Sequence, residues 1–372
     1  MSTKNVILVG AGGNLGSIIL CSLLASSDKF NVSALSRETS SYVPPAGIQL
    51  YRTDYSHGTL VSAFKGKDAV VSAIDMTATV DQTKLIDAAI EAGVRRFIPA
   101  QFGSMQPFYT RLGTPDELAT LSICDYAAGH FLGRAEGSAA DGYRLSLPRD
   151  FPQTILFILT ATGDSKNEAA LSRLPLLGAK KAIITYLEER EDQISWTGIE
   201  NGPFFDWGLE RNAFGFDIPS STATLYTPGH HKVKFSATTI ATVGLAVARS
   251  LESRYAVQTH NKDLYIRSFT VSQDEVLASI ERATGKQWTR KEFDLDSAVK
   301  KANNQMSRGD FSGITTAIVG MMLDPNTGCN FDARGEVHND LLELPKELLD
   351  DVVQKVVNCF KNLGDSQGNQ VR

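Results

Sequence analysis

Val6-Ile7-Leu8-Val9-Gly10-Ala11-Gly12-Gly13-Asn14-Leu15-Gly16-Ser17-Ile18-Ile19-Leu20 is the stretch whose reading decides the fold. Four apolar residues, largely β-branched, read as a buried strand, and the apolar run after Gly16 opens a helix. Strand, glycine turn and helix in that order form the arrangement that holds a dinucleotide. The glycines let the backbone turn sharply and approach a pyrophosphate, and the helix N-terminus presents unpaired N–H groups to the anion. Gly10, Gly13 and Gly16 have the spacing GxxGxxG. Gly10, Gly12, Gly13, Asn14, Leu15 and Gly16 are therefore the expected pyrophosphate contacts.

The next strand, Asn31-Val32-Ser33-Ala34-Leu35, ends in Ser36-Arg37. A carboxylate at this point would take a ribose 2′-hydroxyl, whereas a guanidinium suits a 2′-phosphate. Arg37 thus points to NADP(H) rather than NAD, with Glu38 the carboxylate that argues the other way. Asp54 follows the third strand, where it either lies near the adenine or shapes a turn.

The chain has 372 residues, long enough for one large or two small domains with a substantial core. Its net charge of -5 and lack of a basic stripe argue against a nucleic-acid partner. No apolar run is long enough to span a membrane, and no signal peptide fits the start, so a cytoplasmic protein with a small-molecule substrate is expected. The four cysteines are scattered without a CxxC pair and read as reduced thiols. A homo-oligomer is compatible with all of this.

Strand and helix patterns alternate over the first hundred residues. Ile48–Tyr51 and Ala69–Ile74 read as the third and fourth strands, with a short helix capped by Ser56 between them. Helix Gln82 to Ala92 puts Leu85, Ile86, Ala89 and Ile90 on one face and stops at Gly93, and Arg96–Pro99 is a fifth strand. The fold class is therefore α/β, an NAD(P)-binding Rossmann-type, doubly wound parallel sheet with a smaller α+β substrate-binding part. Ligands of such a sheet sit at the carboxyl-terminal ends of the strands. Pro99-Ala100-Gln101-Phe102-Gly103-Ser104 lies at that edge, with Gln101 and Phe102 as candidate cofactor contacts. Further on come the helix Lys180–Leu187, a sixth strand at Ile194–Ile199, and Gly202-Pro203-Phe204-Phe205-Asp206-Trp207-Gly208-Leu209.

Together the glycine loop, Arg37, Asp81-Gln82, the RFxPxxFG segment at 96–103, the Lys-Ala-Ile-Ile helix, the SWT strand and GPFFDWGL resemble the isoflavone reductase-like branch of the NmrA-type oxidoreductases, atypical short-chain dehydrogenases. The resemblance covers residues 5–104 and 164–350 and looks most like the fungal members. It implies an NADPH-dependent reductase of a small aromatic or polyketide-like molecule, in secondary metabolism. The family pattern Pro-Ser-Glu-Phe-Gly is replaced here by Ala100 and Gln101, so no Ser or Glu role is available there. Plant members carry a second basic residue soon after the Arg; residues 38–48 contain none.

The resemblance divides the chain into residues 1–104 and 164–205 as the dinucleotide-binding domain, 105–163 as an atypical insertion, 206–345 as the substrate-binding part, and 346–372 as a terminal helix and disordered tail. Ser104 and Asp164 would join smoothly into a family-like Phe-Gly-Ser-Asp-Ser-Lys-Asn. The insertion has three readings: a substrate loop, a surface insertion, or a retained intron. The last is compatible with a GTATG donor across Ser104-Met105, a CTAAC branch point across Leu159-Thr160 and a CAG acceptor across Thr162-Gly163.

Short-chain dehydrogenases commonly use Tyr-x-x-x-Lys, and no Lys here has a Tyr four residues before it. In the resembling reductases a single helix Lys is the acid–base group. The Lys-Ala-Ile-Ile match implies Lys181, with Lys180 its neighbour; the alternative is that both are solvated lysines at a helix start. His230-His231 lacks ligands at metal spacing. Phe204, Phe205 and Trp207 either wall an apolar pocket or pack in the core, and Asp206 either lies buried in that pocket or, the favoured reading, caps the next helix. A different class of reading also stands, a regulator that senses NAD(P) and binds a protein partner without turnover.

Overall fold

A computed structural model describes residues 3–74, 81–102, 167–174 and 177–368. The expected insertion, 105–163, lies outside the described residues.

The dinucleotide layer runs β1 (Asn5–Val9), α1 (Asn14–Leu24), β2 (Asn31–Arg37), β3 (Gln49–Thr53), α2 (His57–Phe64), β4 (Ala69–Ser72), α3 (Asp81–Glu91) and β5 (Arg96–Ile98). It continues with α4 (Glu168–Arg173), α5 (Leu177–Glu188) and β6 (Ser195–Glu200). Then come α6 (Phe205–Glu210), β7 (Phe216–Asp217), β8 (Thr222–Thr227), β9 (Phe235–Ala237), α7 (Ile240–Leu251) and β10 (Lys262–Tyr265). The last elements are β11 (Phe269–Val271), α8 (Gln273–Thr284), β12 (Thr289–Asp294), α9 (Leu295–Met306), α10 (Ile314–Met322), α11 (Phe331–Arg334) and α12 (Leu349–Gly368). α12 runs into the polar stretch that composition assigns to disorder; residues 369–372 are not described.

Seven strands form one sheet in the order β10-β6-β5-β4-β1-β2-β3, every pair parallel. The order reverses between β1 and β4, which opens a crevice at their carboxyl ends. Alternation along the strands sends Val6, Leu8 and Ala34 to one face, with α1 and α7, and Ile7, Val9 and Leu35 to the other, with α2, α3 and α5. The segment expected as the substrate part also supplies the dinucleotide layer. β10 closes the sheet beside β6, and α7 packs along α1.

The smaller part is built on the β12-β8-β7 sheet and the β11–β9 pair, with a third core formed by Phe205, Phe214, Phe235, Phe269 and helices α8 to α10. α8 is bounded at both ends by residues of its own stretch of chain. Ser272 and Glu275 form a reciprocal capping box, and Gly285 ends the helix in the left-handed region at φ 65°. Phe204 and Phe205 point into different cores, so this segment rivets the two parts together.

Candidate dinucleotide and active site

The glycine turn has the shape the motif requires. Gly10 sits at φ +84°, and a Cβ there would lie 2.6 Å from the Ala73 carbonyl oxygen, at the point where β1 and β4 diverge. A Cβ on Gly16 would lie 2.0 Å from the Gly10 oxygen. Both positions exclude any side chain. The Gly13 N–H bonds back to Gly10 O at 3.0 Å, which closes the turn. α1 then starts with Gly13 at its N-cap, with no side-chain cap and no acidic residue in the first turn. Gly12, Gly13 and Asn14 are exposed, Leu15 is half-buried and Gly16 is buried. An uncapped helix N-terminus beside a tight glycine turn suits a pyrophosphate.

Arg37 ends β2, exposed, with no ion pair among the described residues. Asp54 is exposed and organised as a turn. Its Oδ1 accepts from Ser56 N–H at 2.9 Å and Thr59 Oγ1 at 2.7 Å, and these bonds pull its carboxyl down to about 2.

Farther along the carboxyl edge, Lys180 is the buried amine. Its side chain is 2 % exposed, and Nζ donates to Gln101 O at 2.6 Å and Phe102 O at 2.9 Å. Gln101 returns a bond from Nε2 to Lys180 O at 3.2 Å. The Gln82 Oε1 accepts the Ala100 N–H at 2.7 Å, so Asp81-Gln82 at the start of α3 also holds this loop. Gln101 and Phe102, expected as cofactor contacts, are thus buried and offer their carbonyls to the lysine. Burial pulls the Lys180 amine down to about 8, and the buried Glu200 at the end of β6 pulls the other way.

Lys181 lies elsewhere. It is half-exposed, 3.8 Å from the exposed Glu168, on an open face with Gly178, Ala182, Thr185 and Glu189. Successive helix residues are rotated by about 100°, so neighbours cannot share an environment. Lys180 falls on the apolar stripe of Leu177, Ile184 and Leu187, which faces the sheet, whereas Lys181 falls on the polar side. The acid–base position implied at Lys181 therefore does not coincide with the amine at the strand ends.

The remaining candidates resolve structurally. Phe204, Phe205 and Trp207 are core residues, exposed by 1, 0 and 9 %. Asp206 is buried and accepts the Ile240 N–H at 3.1 Å, so it caps α7 from a distance, assisted by Thr239. His230 and His231 pair with Asp296 and Asp274 at 3.1 and 2.9 Å. Among the described residues no cluster could hold a metal, and no helix is long and apolar enough to cross a membrane. Gln82 belongs to the Asp81-Gln82 pair already noted in the sequence, whereas Glu200 beside Lys180 and Arg52 beside Arg37 carry no sequence signal that singled them out. For Lys180 the signal was present in the i, i+4, i+7 stripe.

The NmrA-like family matches residues 2–112. The oxidoreductase aprR of Aspergillus flavus is 30 % identical over 359 residues, covering 95 % of this chain and 99 % of that protein. The chain belongs to the NmrA-type oxidoreductases. A second fungal relative of this NmrA-type chain, the oxidoreductase poxI of Penicillium oxalicum, is 26 % identical over 350 residues, 93 % of this chain and 92 % of its own. Among solved structures, an isoflavone reductase superposes with a TM-score of 0.62 at 19 % identity, covering 95 % of this chain and 99 % of its own. The NADPH complex of leucoanthocyanidin reductase from Vitis vinifera has the same TM-score and coverage at 16 % identity. Both likenesses show that the fold is shared with these reductase structures.

Proposed function

We propose that this NmrA-type protein is an NADPH-dependent reductase of a small aromatic or polyketide-like molecule, with Lys180 as its general acid. The observation that carries the reading is a buried amine, held near the physiological range, at the carboxyl edge of a sheet whose other landmark is an uncapped glycine-turned helix. The glycine turn, the α1 N-terminus and Arg37 fit NADP(H). The first two accommodate a pyrophosphate, and Arg37 offers an uncompensated fork to a 2′-phosphate. When bound, the cofactor supplies a hydride. The protein's own contribution is the proton. The carbonyls of Gln101 and Phe102 fix the direction of Lys180 Nζ, and burial weakens its hold on the proton, so that transfer to a developing alkoxide or enolate becomes easier. The presence of this amine favours turnover over the cofactor-sensing alternative. Fungal relatives named as oxidoreductases support the reaction class, and structural neighbours named isoflavone reductase and leucoanthocyanidin reductase support the substrate class.

Turnover is tested by following NADPH consumption against a panel of aromatic enones and quinones. Arg37→Ala should weaken NADPH by about 2 kcal/mol, through loss of a charge-assisted contact, and leave NADH nearly unchanged. Equal weakening of both in a fluorescence titration would refute the 2′-phosphate assignment.

A further inference from the structure

The turn that follows Arg37 is held from the neighbouring strand. Arg52 lies on β3, opposite Ser36 of β2 in the parallel register. Its guanidinium spans the turn, donating from Nη1 to the Arg37 carbonyl at 3.2 Å and to the Ser40 carbonyl, and from Nη2 to the Tyr42 carbonyl at 2.8 Å. The turn adds bonds of its own, Ser40 N–H to Arg37 O at 3.0 Å and Tyr42 N–H to Ser40 Oγ at 3.2 Å. The turn also delivers Tyr42 onto the glycine loop, where a Cβ on Gly12 would lie 2.6 Å from the Tyr42 ring. One side chain therefore ties the end of β2 to a residue that lies against Gly12, while Gly10, Gly13 and Gly16 make their close approaches without it.

The bonding of Arg52 is unusual for an exposed arginine. All three of its acceptors are neutral carbonyls, and among the described residues no carboxylate pairs with it or with Arg37. A guanidinium has five donors in a rigid planar fork, which can bridge several carbonyls at fixed angles. An ammonium is a point charge on a flexible stem and would not hold the three in one geometry.

We infer that Arg52 is a positioning residue for cofactor selection: by bridging the carbonyls of Arg37, Ser40 and Tyr42 it presets the turn so that the Arg37 guanidinium stands ready for a 2′-phosphate. This rests on the NADP(H) reading above and adds the device that makes Arg37 selective. Without the bridge the turn must be ordered at the moment of binding, and that entropy is charged against the contact that needs the turn most. NADH, which makes no 2′-phosphate contact, is largely spared.

The test is a titration of NADPH and NADH, by protein fluorescence, against the full-length protein and its Arg37→Ala, Arg52→Lys and Arg52→Met variants, with thermal midpoints alongside. Arg52 is exposed, so each variant should fold. Both Arg52 variants should lower the NADPH-over-NADH preference about 5- to 10-fold, with NADH affinity kept within about 2-fold. Three results would overturn the inference: Arg52→Lys keeping the preference that Arg52→Met loses, which makes charge alone the cause; both keeping it; or both cofactors weakening together, which makes Arg52 scaffold only. Failure of the underlying reading looks different. The unsubstituted protein would then show no preference for NADPH, or Arg37→Ala would leave that preference intact, and the inference would fall with it.

Discussion

Replacing Lys180 by Met keeps the volume and removes the amine. At pH 7 an amine held at about 8 is protonated in roughly nine molecules of ten, so most of the enzyme carries a competent acid. A positioned general acid contributes typically 10²–10⁴-fold, and Lys180→Met should lower kcat by about that factor. The fold should tolerate the change. Lowering a lysine from its ordinary 10.5 to about 8 corresponds to about 3 kcal/mol of burial cost at neutral pH, which the Met variant escapes. Against this, the carbonyls of Gln101 and Phe102 lose a donor, at about 1–3 kcal/mol each. Net destabilisation should stay within a few kcal/mol. Lys181→Met serves as the matched control, because its amine is half-exposed and 3.8 Å from an exposed carboxylate, a pairing worth little. Single-turnover NADPH oxidation isolates the chemical step, and a titration reports cofactor affinity separately. A Lys180→Met enzyme retaining more than about a tenth of the rate, or a Lys181→Met enzyme losing as much, would refute the reasoning.

The rate should fall as pH rises through about 8, because the acid must be protonated, and Glu200→Gln should move that limb to lower pH by removing the charge that favours the ammonium; a limb that stays put would break the link between the two residues. Folding stability should rise between about 8 and 10.5, where the unfolded chain binds the Lys180 proton and the folded one does not, and this rise should vanish in Lys180→Met when denaturant midpoints are compared across pH. Gly16→Ala should abolish binding of both cofactors, since its Cβ would lie 2.0 Å from the Gly10 oxygen and backbone must move; unchanged titration curves would show that the turn does not form the cradle.

What the sequence determined by itself is what neighbours along the chain control. The β1–glycine turn–α1 unit follows from an apolar run and from glycines at positions where any Cβ would meet backbone. α8 is bounded by the capping box of Ser272 and Glu275 and by Gly285, and α7 spans Ile240–Leu251 behind its Thr239 cap, all set by residues close along the chain. Even the burial of Lys180 was legible in principle, through its place on the stripe of Leu177, Ile184 and Leu187, whereas the short Lys-Ala-Ile-Ile match points to its half-exposed neighbour Lys181. Tertiary structure alone decided the rest. β10 joins the sheet beside β6 although some sixty residues separate them, because pairing across that distance depends on the sheet already being there. Asp206 caps a helix that starts at Ile240, and Arg52 reaches across from β3 to hold the turn after β2. Backbone conformation is fixed by local sterics and hydrogen bonds, which the order of residues encodes directly. Burial of Lys180 against Gln101 and Phe102, and the field of Glu200 upon it, exist only once distant segments have packed together and excluded water.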